Sequence, residues 1–262
     1  MKGVRAFKKR VTDFYRASGR HHLPWRKTHD PYAILVSEIM LQQTQVDRVI
    51  PYFKTWMRTF PTVQKLAHSD LSTVLSLWSG LGYNRRAKML HECAKEIVGK
   101  HGGRIPRNPA ALRALPGVGP YTAGAIRAFA FDEDEVFIET NIRAALLHHF
   151  FPKSNNVPDT KLTPILSACL PRSTSAREWY SALMDYGAHI KKTNPNPSRR
   201  SSQYIRQSAF KGSVREARGA IVRASVRGAV HLGHIRKESG ISAALLRRAL
   251  RDLEREGMLP RR

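Results

Sequence analysis

Residues 111–131 read ALRALPGVGPYTAGAIRAFAF, two helical runs joined by a tight turn from Leu115 to Gly119. Pro116 fixes one backbone angle, and Gly117 and Gly119 are expected to take conformations closed to other residues. A turn of this kind feeds the N-terminus of the next helix and aims consecutive backbone N–H groups outward. Phosphate oxygens are their natural acceptor, which makes Gly117, Val118 and Gly119 candidates for gripping a phosphate backbone. Such a grip positions a protein on nucleic acid without reading its sequence. Taken alone, a glycine pair fits a plain turn between helices equally well.

Around this hairpin, helical periodicity dominates and long Val, Ile and Thr alternation is missing, so the chain reads as all-α. A first helix is expected over Val4–Ser18. LPWRKTHDPY is a loop, after which Pro31 opens a helix through Val46 with Asp30 at its cap. Further helices are expected at Val49–Thr59, Thr62–Ala67, Asp70–Leu77, Asn84–His101, Pro109–Leu115, onward from the turn to Phe131, at Asp159–Cys169 and at Thr174–Ile190. Residues 1–190 form the main domain, with a six-helix subdomain at about 31–131 and a second subdomain from 1–30 and 132–190. Residues 191–212 read as a basic linker without an apolar face. The final stretch, 213–262, reads as a basic helix leading into a helix-turn-helix or winged-helix-like module, with Leu245, Leu246, Ala249, Leu250 and Leu253 at core spacing.

Across 262 residues, 45 Lys+Arg face 20 Asp+Glu, a formal net charge of +25. Such an excess implies a polyanionic partner, with nucleic acid ahead of an anionic membrane surface. From Lys191 onward, 18 Lys+Arg and 5 Asp+Glu place +13 of that charge in the tail, which is therefore expected to bind DNA. No apolar run is long enough to span a bilayer, and the tail helix lacks the aromatic anchors of an interfacial helix, so no membrane partner is expected. The N-terminus lacks the apolar core of a secretory signal. Cys93 and Cys169 stand apart and outside any CxxC, which fits a reducing cytoplasm and leaves no cysteine framework for a disulfide or metal.

In PYAILVSEIMLQQTQV, Glu38 is the one acid among Ile34, Leu35, Val36, Ile39, Met40 and Leu41. A carboxyl on so apolar a helix either pairs with a core arginine or serves chemistry. Burial favours its neutral form, which suits a general acid. Gln42, four residues on, is expected to share its face. In VFIETNIRAAL, Glu139 precedes a helix start at Thr140 and Asn141. It is either an acid favourable to the helix dipole or a working carboxylate, and Tyr121 is a candidate for the same cleft.

Together these pieces resemble the helix-hairpin-helix glycosylase superfamily, and most closely its A/G mismatch-specific adenine DNA glycosylases. The matching strings are LPWR (Leu23 to Arg26), SEIMLQQTQV (Ser37 to Val46), LWSGLGYNRRAKML (Leu77 to Leu90), HGGRIP, LPGVGPYTAGAI (Leu115 to Ile126) and ALMDYGA (Ala182 to Ala188). The resemblance implies two helical subdomains with a DNA cleft between them, acting as a monomer on double-stranded DNA that carries a mismatched or damaged base. It places the proton donor to adenine on Glu38 and the intercalating glutamine on Gln42, with Gln43 and Thr44 beside it on the DNA. The loop probing the opposite base falls on Leu81, Gly82 and Tyr83. Trp25, Arg26 and Asn141 fall on the adenine pocket. Tyr121 stands where lyase relatives carry a Schiff-base lysine; tyrosine cannot form an imine, so a monofunctional glycosylase is expected.

Three departures accompany the resemblance. The family's catalytic aspartate falls on Glu139, one methylene longer. Its four-cysteine iron–sulfur spacing falls on Lys191, Ser198, Ser201 and Gln207, so no cluster and no other cofactor is expected, and Lys191, Lys192, Arg199 and Arg200 become candidates for phosphate contacts. The β-rich domain that recognises 8-oxoguanine is replaced by the basic helical tail. The expectation is hydrolysis of the glycosidic bond of a flipped adenine opposite guanine or 8-oxoguanine. A thymine or uracil mismatch glycosylase and a catalytically inactive DNA-binding relative are the alternatives.

Overall fold

The structure, a computed structural model, describes residues 3–170, 175–228 and 230–259. The expected helix start at Thr174 and the module's last residues, 260–262, lie outside the described residues. Helices α1 (Val4–Ser18), α2 (Pro31–Leu41), α3 (Val46–Thr59), α4 (Val63–Ala67), α5 (Leu71–Trp78), α6 (Arg85–His101) and α7 (Pro109–Ala114) precede the hairpin. After it come α8 (Pro120–Phe131), α9 (Thr140–Phe150), α10 (Asp159–Cys169), α11 (Ala176–Thr193), α12 (Val214–Val226), α13 (Leu232–Ser239) and α14 (Ala243–Arg255). The fold is all-α; among the described residues the β-structure is an isolated parallel bridge between Val157 and Ser201.

The chain forms two compact units, one from residues 1–35, 107–113 and 118–206, the other from 36–106, 114–117 and 207–262. This division differs from the one read in the sequence. Helix α8 belongs with the first unit, and the C-terminal module belongs to the second instead of standing apart. In the first unit, α1 buries Phe7, Val11 and Tyr15 at successive turns, and it packs on α11, which in turn lies along α9. In the second, α6 buries Ala87, Leu90, Ala94 and Ile97 and packs on α4 and α5. Of the residues expected at core spacing in the tail, the structure buries Leu246, Ala249 and Leu253 and leaves Leu245 and Leu250 half-buried. The tail joins this unit because α12 has an apolar face to cover: Ala217 and Ile221 are fully buried, and the helix packs on both α14 and α5. An apolar face with two neighbours gives burial that a free-standing module would forgo.

Two further expectations are corrected. Helix α2 ends at Leu41, not Val46, so Gln42 lies beyond the last turn and does not share a helical face with Glu38. The cause is Arg86. Its guanidinium donates to the carbonyls of Ile39 (2.9 Å), Met40 (2.9 Å) and Gln42, acceptors that a longer helix would use internally. Residues 191–206 are likewise no free linker. Lys191–Thr193 finish α11, and the 3₁₀ turn Pro197–Arg200 buries Pro197 and Ser198 against α9.

Candidate functional site

Glu38 sits on α2 with Leu35, Val36, Ile39 and Met40 all buried around it, and it is itself only 4% exposed. Asp30 holds the start of that helix by accepting from the backbone N–H groups of Tyr32 (3.1 Å) and Ala33 (3.3 Å). Beyond its end, Gln43 adopts a left-handed backbone at φ 54°, and Tyr83 does so at φ 50°. Non-glycine residues in this region store strain, which is common where a loop serves a ligand. Arg86 links the two segments: besides the α2 carbonyls it donates to Thr44 Oγ1 (3.0 Å) and the Gly82 carbonyl (3.1 Å), and it lies 5.4 Å from the Tyr83 ring. Burial lowers its pKa to about 10, still far above neutrality, so it stays cationic. The resemblance did not single out Arg86, although it lies within the matching LWSGLGYNRRAKML string.

The loop before α6 is equally built. Gly80 takes φ 97°, and a Cβ there would meet the Tyr52 hydroxyl at 2.4 Å, so only glycine fits. Trp78 Nε1 donates to the Gly82 carbonyl at 2.9 Å. Leu81 is 4% exposed and packs inward, whereas Gln43 is exposed and Tyr83 is half-buried, its hydroxyl accepting from Arg215 Nη1 at 2.6 Å. Of the residues assigned to probing DNA, the structure thus exposes Gln43, leaves Gln42, Thr44, Gly82 and Tyr83 half-buried, and seats Leu81 in the core.

In the first unit, Glu139 caps α9. Its Oε1 accepts from the backbone N–H groups of Asn141 (2.6 Å) and Ile142 (2.8 Å), and Oε2 accepts from Asn141 Nδ2 at 3.2 Å. Burial pushes its carboxyl above the usual range, opposed by these N–H donors and by Lys191 and Arg143. Lys191 Nζ donates to Asn141 Oδ1 at 3.1 Å, which completes a chain from lysine through asparagine to carboxylate. Behind it, α11 approaches the α9 backbone so closely that a Cβ on Gly187 would fall 2.0 Å from the Asn141 carbonyl oxygen. Gly187→Ala is therefore expected to lower stability by about 3 kcal/mol or more, at the upper end of overpacking costs, as read by thermal or denaturant unfolding. Tyr121 packs edge-on to Phe137, ring centroids 5.8 Å apart, two residues before Glu139.

Trp25 is buried in a 3₁₀ turn over Pro24–Arg26. Arg26, assigned to the base pocket by resemblance, gives its guanidinium to Asp185 on α11: Nη1 to Oδ2 at 2.6 Å and Nη2 to Oδ1 at 2.7 Å. Arg20 adds its backbone N–H (2.7 Å) and Nε (2.6 Å) to the same carboxylate. Arg177 fixes the loop from the other side through the carbonyls of Arg26 (2.9 Å) and Thr28 (2.6 Å). Neither Asp185 nor Arg177 was legible as a site residue, since their partners lie about 150 positions away in the chain.

At the hairpin, Gly117 takes φ 78°, the left-handed conformation expected of it. Gly119 does not: at φ −84° and ψ 178° it is extended backbone that any residue adopts. Its value lies elsewhere. It caps α8 directly before Pro120, and no atom lies within 4 Å of where its Cβ would stand, so the helix N-terminus is left open.

The residues at the iron–sulfur spacing do not fit such a cluster. Lys191 is engaged with Asn141, Ser198 Oγ donates to the Thr140 carbonyl at 3.2 Å, Ser201 is buried, and Gln207 is an amide on Tyr83. Amine, hydroxyl and amide groups are not ligands for iron–sulfur. Arg200, expected at phosphate, donates to the carbonyls of Leu147 (3.0 Å) and Pro152 at the end of α9. Burial pushes the thiols of Cys93 and Cys169 up to about 12 and about 11, which makes them inert. Among the described residues no helix is long and apolar enough to cross a membrane.

An all-α fold built on a Pro-Gly-Val-Gly turn, with one acid buried in a core helix and another capping a helix start, defines a helix-hairpin-helix protein. Residues 36–170 match the model of the HhH-GPD superfamily base excision DNA repair proteins, more than half of the chain. The chain belongs to that superfamily. It is 37% identical over 190 residues to the adenine DNA glycosylase of Buchnera aphidicola subsp. Baizongia pistaciae, covering 72% of this chain and 54% of that protein. It is 38% identical over 172 residues to the adenine DNA glycosylase of Mycolicibacterium smegmatis, covering 65% and 59%. The chain thus spans little more than half the length of these curated relatives. Among solved structures it is similar to a thermostable thymine-DNA glycosylase, with a TM-score of 0.63 and 27% identity over 71% of this chain and 86% of that one. An endonuclease III shares the fold at a TM-score of 0.58 and 17% identity, covering 80% and 90%.

Proposed function

We propose that this protein is a monofunctional DNA glycosylase that removes adenine from a mispair with guanine or 8-oxoguanine. The observation that carries the reading is Glu38, a carboxyl buried among apolar side chains of α2 in a chain with adenine DNA glycosylase relatives. The hairpin and the basic tail hold the phosphate backbone, and Gln42 with the Tyr83 loop occupies the gap left by the everted base. Eversion costs a few kcal/mol and costs least at a mismatch. Glu38 protonates the adenine ring, so the base departs neutral. The sugar is left cationic, Glu139 stabilises it, and water completes hydrolysis to an abasic site. The Asn141 and Lys191 hydrogen bonds orient the Glu139 carboxylate for this task.

A thymine or uracil glycosylase is the second reading, favoured by the structural likeness to the thymine-DNA glycosylase. A pyrimidine can leave as an anion held by hydrogen bonds and has less need of the acid that Glu38 supplies. Single-turnover incubation with A:G, A:8-oxoguanine, T:G and U:G duplexes is expected to release adenine from the first two only. Thymine or uracil as the sole product would assign the second reading. Tight, salt-sensitive binding with no base released would leave a DNA-binding relative without catalysis.

A further inference from the structure

Within the second unit, the last three helices form a helix-turn-helix. Helix α12 packs on both α13 and α14, and α13 packs on α14. The connection between α13 and α14 is short: Gly240 closes α13 at φ 69°, Ile241 is buried, and Ser242 caps α14 by accepting from the Leu245 N–H at 3.3 Å. Helix α14 has two opposed faces. Leu246, Ala249 and Leu253 are buried, whereas its exposed positions are Ala244, Arg247, Arg248, Arg251 and Arg255. At about 100° per residue these exposed positions lie together, opposite the buried three. None of them is an acid. Arg255 has Asp252 at 2.7 Å, but among the described residues no carboxylate stands within ion-pair distance of Arg247, Arg248 or Arg251. The half-buried arginines of α12 differ: Arg215 is spent on Tyr83 and Ser208, and Arg218 on Glu256. The three on α14 make no such contact, and their mutual repulsion opposes folding.

We propose that α14 is a recognition helix whose arginine face seats in the major groove of the duplex flanking the mispair, a contact that needs no mispair to form. The proposal rests on the glycosylase reading above for its duplex substrate, and it places the tail's contribution on one helix face in one groove. In a helix-turn-helix the second helix is the one that enters DNA, and a B-form major groove of about 12 Å admits a helix. Ala244, in the first turn, leaves room for close approach. Arg247, Arg248 and Arg251 then reach phosphates on the groove walls or guanine edges on its floor. A lipid surface fits this face poorly, because the apolar residues of α14 are turned inward and nothing is left to insert among acyl chains. An RNA duplex fits poorly for another reason: its A-form major groove is deep and narrow.

The test is anisotropy titration of the full chain and of a variant carrying Arg247→Gln, Arg248→Gln and Arg251→Gln together, on one sequence as undamaged DNA duplex, RNA duplex and single-stranded DNA. The variant is expected to bind the DNA duplex about tenfold or more weakly, with the slope of log affinity on log salt reduced by between about 1 and 3, at about 0.9 per phosphate contact. RNA duplex and single-stranded DNA are expected to lose far less. An equal loss on all three overturns the groove seat, since plain charge attraction does not distinguish grooves. An unchanged affinity for DNA duplex overturns it too, as does a loss confined to phosphatidylglycerol vesicles, which would give the face to lipid. Dimethyl sulfate probing adds a readout on the unmodified protein: guanine N7 in the flanking major groove is expected to be protected. Full N7 reactivity along both flanks overturns the proposal whether or not the variant folds. Adenine excision without groove contact removes α14 from the duplex and leaves the glycosylase reading. Groove contact without excision does the reverse.

Discussion

Replacing Glu38 with glutamine is expected to leave duplex binding within a few-fold of the unmodified protein and to slow single-turnover adenine release by about 10²–10⁴, the usual worth of general acid catalysis. The substitution keeps shape and hydrogen-bonding capacity while removing the transferable proton. That matters at a position only 4% exposed, where truncation would leave a cavity and confound chemistry with stability. Gel-shift or anisotropy titration reports binding, and rapid quench reports chemistry. Near-normal release would remove Glu38 from the role of proton donor, and parallel loss of both readouts would assign it to folding.

The second large effect is on stability. Asp185→Asn is expected to cost about 3–5 kcal/mol in urea unfolding at neutral pH, because it leaves the buried Arg26 guanidinium and the Arg20 contacts facing a neutral amide. The side chain of Asp185 is only 2% exposed, so water cannot replace the lost charge. Burial pushes its carboxyl up, but the Arg26 hydrogen bonds and charge together with Arg20 outweigh burial, and the net shift is below the ordinary value of 3.8. The sign follows from linkage. A carboxylate depressed in the folded state contributes its full stabilisation above the unfolded pKa and loses it as pH falls through the folded one. The difference between the unmodified protein and Asp185→Asn is therefore expected to be constant near neutrality and to shrink below about pH 4. A difference independent of pH down to full acid unfolding would assign the cost to packing.

What the sequence disclosed and what it withheld divide along one physical line. Features set by neighbours in the chain were legible: the Asp30 cap, the bounds of α10, the left-handed Gly117, the acid at the start of α9 and the apolar surroundings of Glu38. Periodicity and turn chemistry are local, and so are these features. The losses came from partners far apart in sequence. The end of α2 is decided by an arginine 44 to 47 positions later, and the loop at Arg26 by an aspartate 159 positions later. The tail read as a separate module because its helix-turn-helix spacing is complete by itself. Nothing in that spacing reveals that the outer face of α12 is covered by α5 and that Arg215 reaches Tyr83. Gly119 shows the opposite error: a glycine inside a known hairpin invites an argument from backbone freedom that its dihedral angles do not need.

The residues at the iron–sulfur spacing have structural roles of their own. In this chain the ends of α9, which carries Glu139 at its cap, are tied down by Ser198 at Thr140 and by Arg200 at Leu147. Side-chain donors onto helix carbonyls thus fix α9 near both its ends, and Lys191 extends the same region to Asn141.

The most direct measurement is the single-turnover rate of adenine release across pH for the unmodified protein and for the residual activity of Glu38→Gln. Proton donation by this carboxyl predicts a rate that falls toward alkaline pH and a variant in which that fall has vanished. On the acid side both proteins lose activity as Glu139, held above the usual carboxylate range by burial, takes up its proton. An alkaline fall unchanged in Glu38→Gln would contradict the account, because the proton reaching adenine would then come from another group.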